Sequence, residues 1–583
     1  MKDSKVRERI VVTKDMPGTP PRPLQVIVLV SILCCLPVAL RAQSVFVPLN
    51  HWSYAFVERM EAKGLVHGAL NSTKPFSREE MVRYLVQVEK NGRAQGRLNA
   101  VESRQLDFLH FEFREEFLQL TGSDGHAYET RIEKLRKGRL FPHFLYKNNR
   151  NMFNLQKDDF KVFIDPILSQ KVVTAEADSL SSTERVYERS HGLTMWGQLG
   201  NTIGFFFDFR DTKEWGTRTY PDKFDISLPG LGFVNGYGTH IWHDETIAYV
   251  VFKLPHLQLT IGKGNNYWGP GFNGALGLSN NATSYDQIRL QSRFWRLKFT
   301  YLWGFLRTFP VIEGSDGRAA EKNIVGHRLE IDVAKWLDLG FYETVIFGNR
   351  RFELAYANPI NFYRSAEHFL GDNDNAAMGM DFDLLLIPNT KIYGELFIDD
   401  LFTSRIGSGW FGNKVAYLAG AYWVDALSVP NLDARVEYAR TRPFVYTHEK
   451  AINTYSHFST GLGHWIGPNA DDLLMRLQYR FSKSLAVALD FESYRHGANP
   501  LDRNVGGDIN QPFRPGDPAF VHTLDGIHER RNRFGVEVSY ELYRNFFLNL
   551  NFNSASSKNM LLPGGVRGPV DRTEFGLTLA LNK

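Results

Sequence analysis

Asp472-Leu473-Leu474-Met475-Arg476-Leu477-Gln478-Tyr479-Arg480-Phe481, resumed after Lys483-Ser484 by Leu485-Ala486-Val487-Ala488-Leu489-Asp490-Phe491-Glu492, is the stretch that decides the fold. Leu473, Met475, Leu477, Tyr479 and Phe481 are apolar, and Arg476, Gln478 and Arg480 sit between them. Side chains alternate sides along a strand, so this period of two predicts one oily and one charged face. Beyond Lys483-Ser484, Leu485, Val487, Leu489 and Phe491 continue the oily face, with Asp490 and Glu492 opposite. The product is a hairpin.

A soluble sandwich and a membrane barrel both use such hairpins; strand length and recurrence separate them. A strand crossing a bilayer takes about 9 to 11 residues, apolar toward lipid and polar toward the lumen. Runs approaching that length recur from about Phe160 onward: Phe205, Phe207 and Phe209; Leu297, Phe299, Tyr301 and Trp303; Leu329, Ile331 and Val333; Phe534, Val536, Val538 and Tyr540. The last run, Thr573 to Leu581, supplies the closing strand that a barrel needs. No signature repeats every 40 to 50 residues, against a propeller. The chain is therefore expected to be an all-β transmembrane barrel, its length allowing some 16 to 18 antiparallel strands, behind a small helical domain. The expected divisions are 1–42 targeting segment, 43–120 helical domain, 121–157 connector and 158–583 barrel.

Aromatic residues make up 14% of the 583-residue chain, in keeping with strands and interface girdles. Residues 1–42 carry a basic front, the apolar run Leu24 to Leu40 and Leu40-Arg41-Ala42 before Gln43, the pattern of a secretion signal; a retained single-span anchor and a start at Met16 are the alternatives. Both cysteines, Cys34 and Cys35, lie in that segment, so processing leaves no disulfide, thiol metal site or cysteine nucleophile. It also removes seven basic and three acidic residues, leaving 61 of each, a balance that argues against nucleic-acid binding.

From Pro48 to Leu120 the period changes to that of helices. Tyr54, Val57, Met60 and Ala62 share a stripe that stops at Gly64. Ser77 precedes Arg78-Glu79-Glu80 as a capping box, leading into Met81, Tyr84, Leu85 and Val88. A third helix is expected over Val101 to Leu120.

Three connections are longer than turns require: Gly262 to Arg293, Ala355 to Asp381 and Arg442 to Asp472. They gather rings and amides, the chemistry that covers a sugar's C–H face and bonds its hydroxyls. The candidate carbohydrate-binding residues are Tyr267, Trp268, Asn280, Asn281, Asn358, Asn361, Tyr363, Tyr446, His448, Tyr455, His464, Trp465 and Asn469. The plain alternative is that Gly, Asn and Pro make turns while rings anchor rims. No catalytic residue, cofactor or metal is assigned. The glycine-rich run Gly264 to Gly277 lacks a phosphate-loop context. His448, His457 and His464 fit no zinc spacing, and Glu367 with Asp372 is the weak carboxylate pair of a hydrolase alternative.

Two resemblances follow from these motifs. His51-Trp52, Gly64-Leu65-Val66 and Lys74-Pro75-Phe76-Ser77-Arg78-Glu79-Glu80 resemble a single S-layer-homology unit, which implies cell-wall contact or a packed periplasmic domain. Tyr267-Trp268-Gly269-Pro270-Gly271, Leu278-Ser279-Asn280-Asn281-Ala282, Ala357-Asn358-Pro359-Ile360-Asn361-Phe362-Tyr363, Tyr393-Gly394-Glu395-Leu396-Phe397-Ile398-Asp399-Asp400 and Leu462-Gly463-His464-Trp465-Ile466-Gly467-Pro468-Asn469-Ala470 resemble the Wzi-type capsule-assembly outer-membrane family. That resemblance implies an 18-stranded outer-membrane barrel with a helical periplasmic part, acting without catalysis as a lectin that holds capsular polysaccharide at the cell surface. Its implied partners are that polysaccharide, outer-membrane lipid and the barrel-insertion machinery. An outer-membrane pore and an outer-membrane glycan hydrolase are the rival functions.

Overall fold

The structure, a computed structural model, describes residues 45–122, 144–178, 183–200, 202–217, 219, 230–237, 239–308, 320–561 and 567–582. The targeting segment and most of the expected connector, 123–143, lie outside them. Eighteen antiparallel strands close into one barrel. They are β1 Phe160–Ala177, β2 Glu184–Leu199, β3 Ile203–Gly216, β4 His240–Leu254, β5 Leu257–Gly264, β6 Tyr285–Phe294, β7 Leu297–Leu306, β8 Lys322–Ala334 and β9 Leu337–Gly348. The second half is β10 Asn375–Ile387, β11 Thr390–Asp400, β12 Lys414–Trp423, β13 Leu432–Thr441, β14 Ala470–Arg480, β15 Leu485–Ala498, β16 Ile527–Tyr543, β17 Phe546–Leu561 and β18 Arg567–Leu581. β18 closes on β1 from Arg572↔Ala177 to Leu581↔Leu168. Closure pairs the edges, as hydrocarbon requires of every amide.

The deciding hairpin is β14–β15, with Arg476 opposite Asp490 and Leu477 opposite Leu489. Met475, Leu477, Leu489, Phe491, Phe534, Phe552, Phe575 and Leu579 face outward and are exposed, the surface a membrane covers. The alternate positions point inward and pair: Arg476 bonds Asp490 at 2.8 Å and Glu537 at 2.9 Å, and Glu492 bonds Arg531 at 2.6 Å and Arg533 at 2.8 Å.

Connections alternate in length. At one end, where β2–β3, β4–β5, β6–β7, β8–β9, β10–β11, β12–β13, β14–β15 and β16–β17 join, they run two to eight residues. Loops 265–284, 349–374, 401–413, 442–469 and 499–526 stand at the other end. The three long segments expected from sequence are shorter than drawn there, because β6, β10 and β14 begin inside them, at Tyr285, Asn375 and Ala470. The sheet also starts before residue 158: Phe153–Lys157 pairs with β1.

The helical region is α1 Ser53–Ala62, α2 Arg78–Val88, α3 Ala100–Glu112 and α4 Arg114–Thr121. The expected third helix is two, broken where Phe113 leaves helical geometry (φ −107°, ψ 28°). Ser77 accepts from the Glu80 amide, but the Glu80 carboxylate turns to the Tyr84 hydroxyl, so only half of that capping box forms. The full box is Asn99 with Glu102. Val57, Met60, Met81, Leu85, Leu106 and Phe117 form this region's core.

This bundle stoppers the short-turn end. Arg59, buried, pairs with Glu102 inside the bundle and with Asp425 and Asp433 of the barrel. Arg435 of β13 grips Glu58 at 2.8 Å, and Lys298 of β7 reaches Glu80 at 3.1 Å. Arg544 clamps Glu112 at 2.7 Å. Inward charges on this wall therefore meet the plug, whereas a sequence pattern alone assigns them to lumenal water.

Candidate functional site

The loop 265–284 turns down into the barrel from the long-loop end, and inward carboxylates hold it there. Glu395 of β11 accepts the amides of Leu276 at 2.8 Å and Gly277 at 2.9 Å, and the Tyr342 hydroxyl at 2.8 Å. Glu437 of β13 accepts those of Phe272 at 2.6 Å and Asn273 at 2.7 Å, and the Tyr393 hydroxyl. Backbone N–H groups in a dry interior need such acceptors, which gives the Tyr393-Gly394-Glu395 motif a physical role. Gly269, at φ +139°, lies so close that a Cβ there would sit 2.5 Å from the Glu395 carboxylate. At the bottom of its descent the loop meets the helical region: Tyr267–Trp268 pairs antiparallel with Thr73–Lys74. The stopper and the inward loop thus share a two-stranded sheet inside the barrel.

Around that junction the loop 442–469 packs a continuous core. Trp268, Leu276, Leu278, Tyr342, Tyr393, Phe397, Tyr446, Tyr455 and Leu462 are buried together. Tyr446 donates to the Leu276 carbonyl and Tyr455 to the Gly277 carbonyl, and their rings stack at 5.5 Å. Burial holds the hydroxyls of Tyr267, Tyr446 and Tyr455 un-ionised, their pKa values raised. It drives His464 down to about 3 and, with Lys322, His457 to about 3, so both imidazoles are neutral.

The thirteen candidate residues accordingly fall into three settings. Trp268, Tyr446, Tyr455, His464 and Asn469 are buried inside the fold, and Tyr267, its hydroxyl bonded to the Gly271 carbonyl, packs beside them. Asn469 bonds the Gly497 and Asp525 carbonyls and receives the Leu524 amide. These positions build the plug and cannot serve as surface platforms in this conformation. Asn358, Asn361 and Tyr363 belong to the loop 349–374, which folds on the outside of the wall; Tyr363 is fully buried there, while Asn358 accepts the Ile360 amide and Asn361 donates to the Ala355 carbonyl. Asn280, Asn281, His448 and Trp465 remain partly or fully accessible, with Trp465 leaning on inward Tyr494 at 5.4 Å. The three histidines do not converge; among the described residues Glu367, His368 and Asp372 alone bring metal-type ligand atoms together. His51 and Trp52 pack against Phe113 and Phe108 of the bundle.

A ring cluster absent from the sequence reading stands at the long-loop end. Phe402 meets Trp410 edge-on at 4.5 Å, Arg405 lies over Trp410 at 4.7 Å, and Phe411 stacks on Phe513 at 3.5 Å. Trp410 bridges through its backbone to Phe520, which is exposed, and His522 packs beside Gly409. Its sequence signal was Gly407-Ser408-Gly409-Trp410-Phe411-Gly412, rings set between glycines in a loop. Elsewhere the lumen keeps polar groups partly open: Lys171, Glu188, Arg210 and Glu537 face inward along β1–β3 and β16. A cavity of about 450 Å³ at the short-turn end, lined by Arg78, Glu112, Asp208, Arg210, Arg480 and Glu541, continues that strip.

An 18-stranded barrel with an apolar outside, its lumen largely filled by a helical stopper and by its own loops, defines an outer-membrane-type β-barrel protein. Residues 246–567, more than half of the chain, match the capsule assembly protein Wzi family, and the chain belongs to it. The fold is similar to that of Wzi of Escherichia coli, an outer-membrane protein involved in group 1 capsule assembly and described as a carbohydrate-binding β-barrel, at 14% identity and TM-score 0.52 over 93% of this chain and 99% of that one. OccAB1 of Acinetobacter baumannii (9% identity, TM-score 0.42, 72% and 96% covered) and OprD of Pseudomonas aeruginosa (11%, 0.40, 72% and 92%) are more distant. No curated protein matches the sequence.

Proposed function

We propose that this protein is a non-enzymatic outer-membrane lectin that holds capsular or other exported polysaccharide on its long-loop face, with the helical bundle in the periplasm. The observation that carries this is the junction of Thr73–Lys74 with Tyr267–Trp268: a barrel occupied from both ends offers a surface more readily than a passage. Short turns on the periplasmic side and long loops outside are the usual orientation of such barrels. The described E. coli relative binds carbohydrate, and family membership supports the same class of ligand here.

On the long-loop face, Phe402, Trp410 and Phe520 supply flat rings, and Arg405 over Trp410 and His522 beside Gly409 supply donors next to them. Trp465, with Tyr494, is a second platform nearer the lumen. The hydrolase alternative loses support because Glu367 and Asp372 sit on the outer loop, away from these rings. Burial, opposed by Arg364 and reinforced by Asp372, pushes the Glu367 carboxyl to about 7.

The test is titration of the detergent-folded protein with the producing strain's own surface polysaccharide, with reducing ends assayed in parallel. Trp410→Ala and Trp465→Ala are each expected to weaken binding by about 1 kcal/mol, roughly fivefold, with no reducing ends released. Unchanged binding in both variants refutes this choice of platform. Product release by the wild type refutes the lectin.

A further inference from the structure

The loop 349–374 does not join the mouth. Its two short helices, α5 Leu354–Ala357 and α6 Tyr363–Phe369, lie against the outside of the barrel. The register shows it: Tyr301↔His327, Trp303↔Val325, Val325↔Val345 and His327↔Glu343 are outward pairs, alternating with inward Lys298, Arg328 and Tyr342. Such positions normally face lipid, yet Tyr301, Trp303, Val325, Val345 and Phe347 are buried, under Tyr356, Tyr363 and Ala366.

Polar groups lock the loop to the wall. The Tyr301 hydroxyl donates to the Tyr356 carbonyl at 3.2 Å, and the Tyr363 amide donates to Glu343 at 3.0 Å. Asn323 accepts the Trp303 indole N–H at 3.1 Å and donates to the Arg350 carbonyl at 3.1 Å. His327 and Glu343, 3.2 Å apart, put an imidazole and a carboxyl group at outward positions that bare hydrocarbon disfavours; the Tyr363 ring covers His327 at 4.4 Å.

Depth follows from strand length. β8 has 13 residues and β9 has 12, and about 9 to 11 span a bilayer, so at most a few of them rise above it. Glu343 and His327 lie five residues in from the long-loop ends of their strands, about 16 Å along the chain. The loop therefore reaches down to the level of the membrane boundary. Phe352 stacks on Trp303 of the wall at 5.3 Å, while Leu354, Ile360, Phe362 and Phe369 are exposed by 57% to 91%, on the same outer side of the barrel as lipid-belt residues Phe341, Met380 and Phe382.

We propose that residues 349–374 form a membrane-seated clasp that grips β7–β9 with one side and inserts Leu354, Ile360, Phe362 and Phe369 among the acyl chains of the outer leaflet with the other. Continuity with the lipid belt selects lipid as the occupant over a second copy or a soluble partner. The clasp anchors the barrel at the surface and commits Tyr363 to the wall, while Asn358 and Asn361 bond within the loop itself. It rests on the bilayer-spanning, loops-outside reading above.

The test labels single cysteines at Ile360→Cys and Phe369→Cys with an environment-sensitive fluorophore, in full-length protein carrying Cys34→Ser and Cys35→Ser, reconstituted in vesicles with nitroxide-labelled lipid. Met380→Cys on the belt and Ser459→Cys on an exposed loop serve as references. The expected result is quenching by lipid nitroxide at 360 and 369 equal to that at 380, with iodide quenching at 459 alone. Iodide quenching at 360 and 369 with lipid quenching kept at 380 overturns the clasp and spares the barrel. Shielding of 360 and 369 from both quenchers, with 360–360 cross-links, overturns lipid in favour of a second copy. Loss of lipid quenching at 380 overturns the bilayer-spanning reading itself.

Discussion

Glu112 concentrates the hold between bundle and barrel. It ends α3, where a helix disfavours a carboxylate, and it is buried; burial pushes its pKa up, yet Arg544, Arg150 and Arg78 bring it down to about 2. A carboxyl depressed in the folded state adds stability above its unfolded value and loses it as pH falls through the folded one. The contribution is therefore present above about 4.5 and fades toward about 2, amounting to roughly 3 kcal/mol. Amide protection across residues 100–112, taken relative to the intrinsic exchange rate at each pH, is expected to fall over that acid window in the wild type, and Glu112→Gln is expected to be weakly protected already at neutral pH. Exchange in Glu112→Gln equal to wild type at neutral pH shows that the clamp holds nothing. At this scale the sequence was least informative. Asn469 and His464 read as sugar ligands because an amide beside rings looks alike in a binding site and in a satisfied interior, and only their neighbours Gly497, Asp525 and Tyr446 decide between them.

Elements were far more legible. The alternation in β14 and β15 survives intact because each strand separates an apolar surrounding from a polar interior. What the pattern cannot tell is what the polar face meets. Arg328, Lys298 and Arg435 stand at inward positions that alternation alone would give to the lumen, and instead they grip Thr73, Glu80 and Glu58 of the helical region. The clasp did leave a trace, in Asn323, His327 and Glu343 at outward positions where an uncovered wall would be apolar. The loop that pairs with Thr73–Lys74 depends on Trp268, buried completely at its tip. Trp268→Ala is expected to cost about 3 to 5 kcal/mol and to release the loop, read as a lower temperature for the heat-induced mobility shift of the folded barrel. An unshifted transition places the loop's stability elsewhere.

At the scale of the molecule, the barrel works as a frame for what fills it. Its closed wall satisfies the membrane, the bundle shuts one end, and loops 265–284 and 442–469 shut most of the other, leaving rings and amides on the outer face. The two-solvent wall and a range of 16 to 18 strands were readable from the sequence; the filling was not, because it depends on contacts between residues two hundred positions apart, such as Lys298 with Thr73. Conductance of the purified full-length protein in a planar bilayer tests this occlusion most directly. The account predicts a silent membrane at neutral pH after confirmed insertion, and stable ohmic steps from the wild type contradict it.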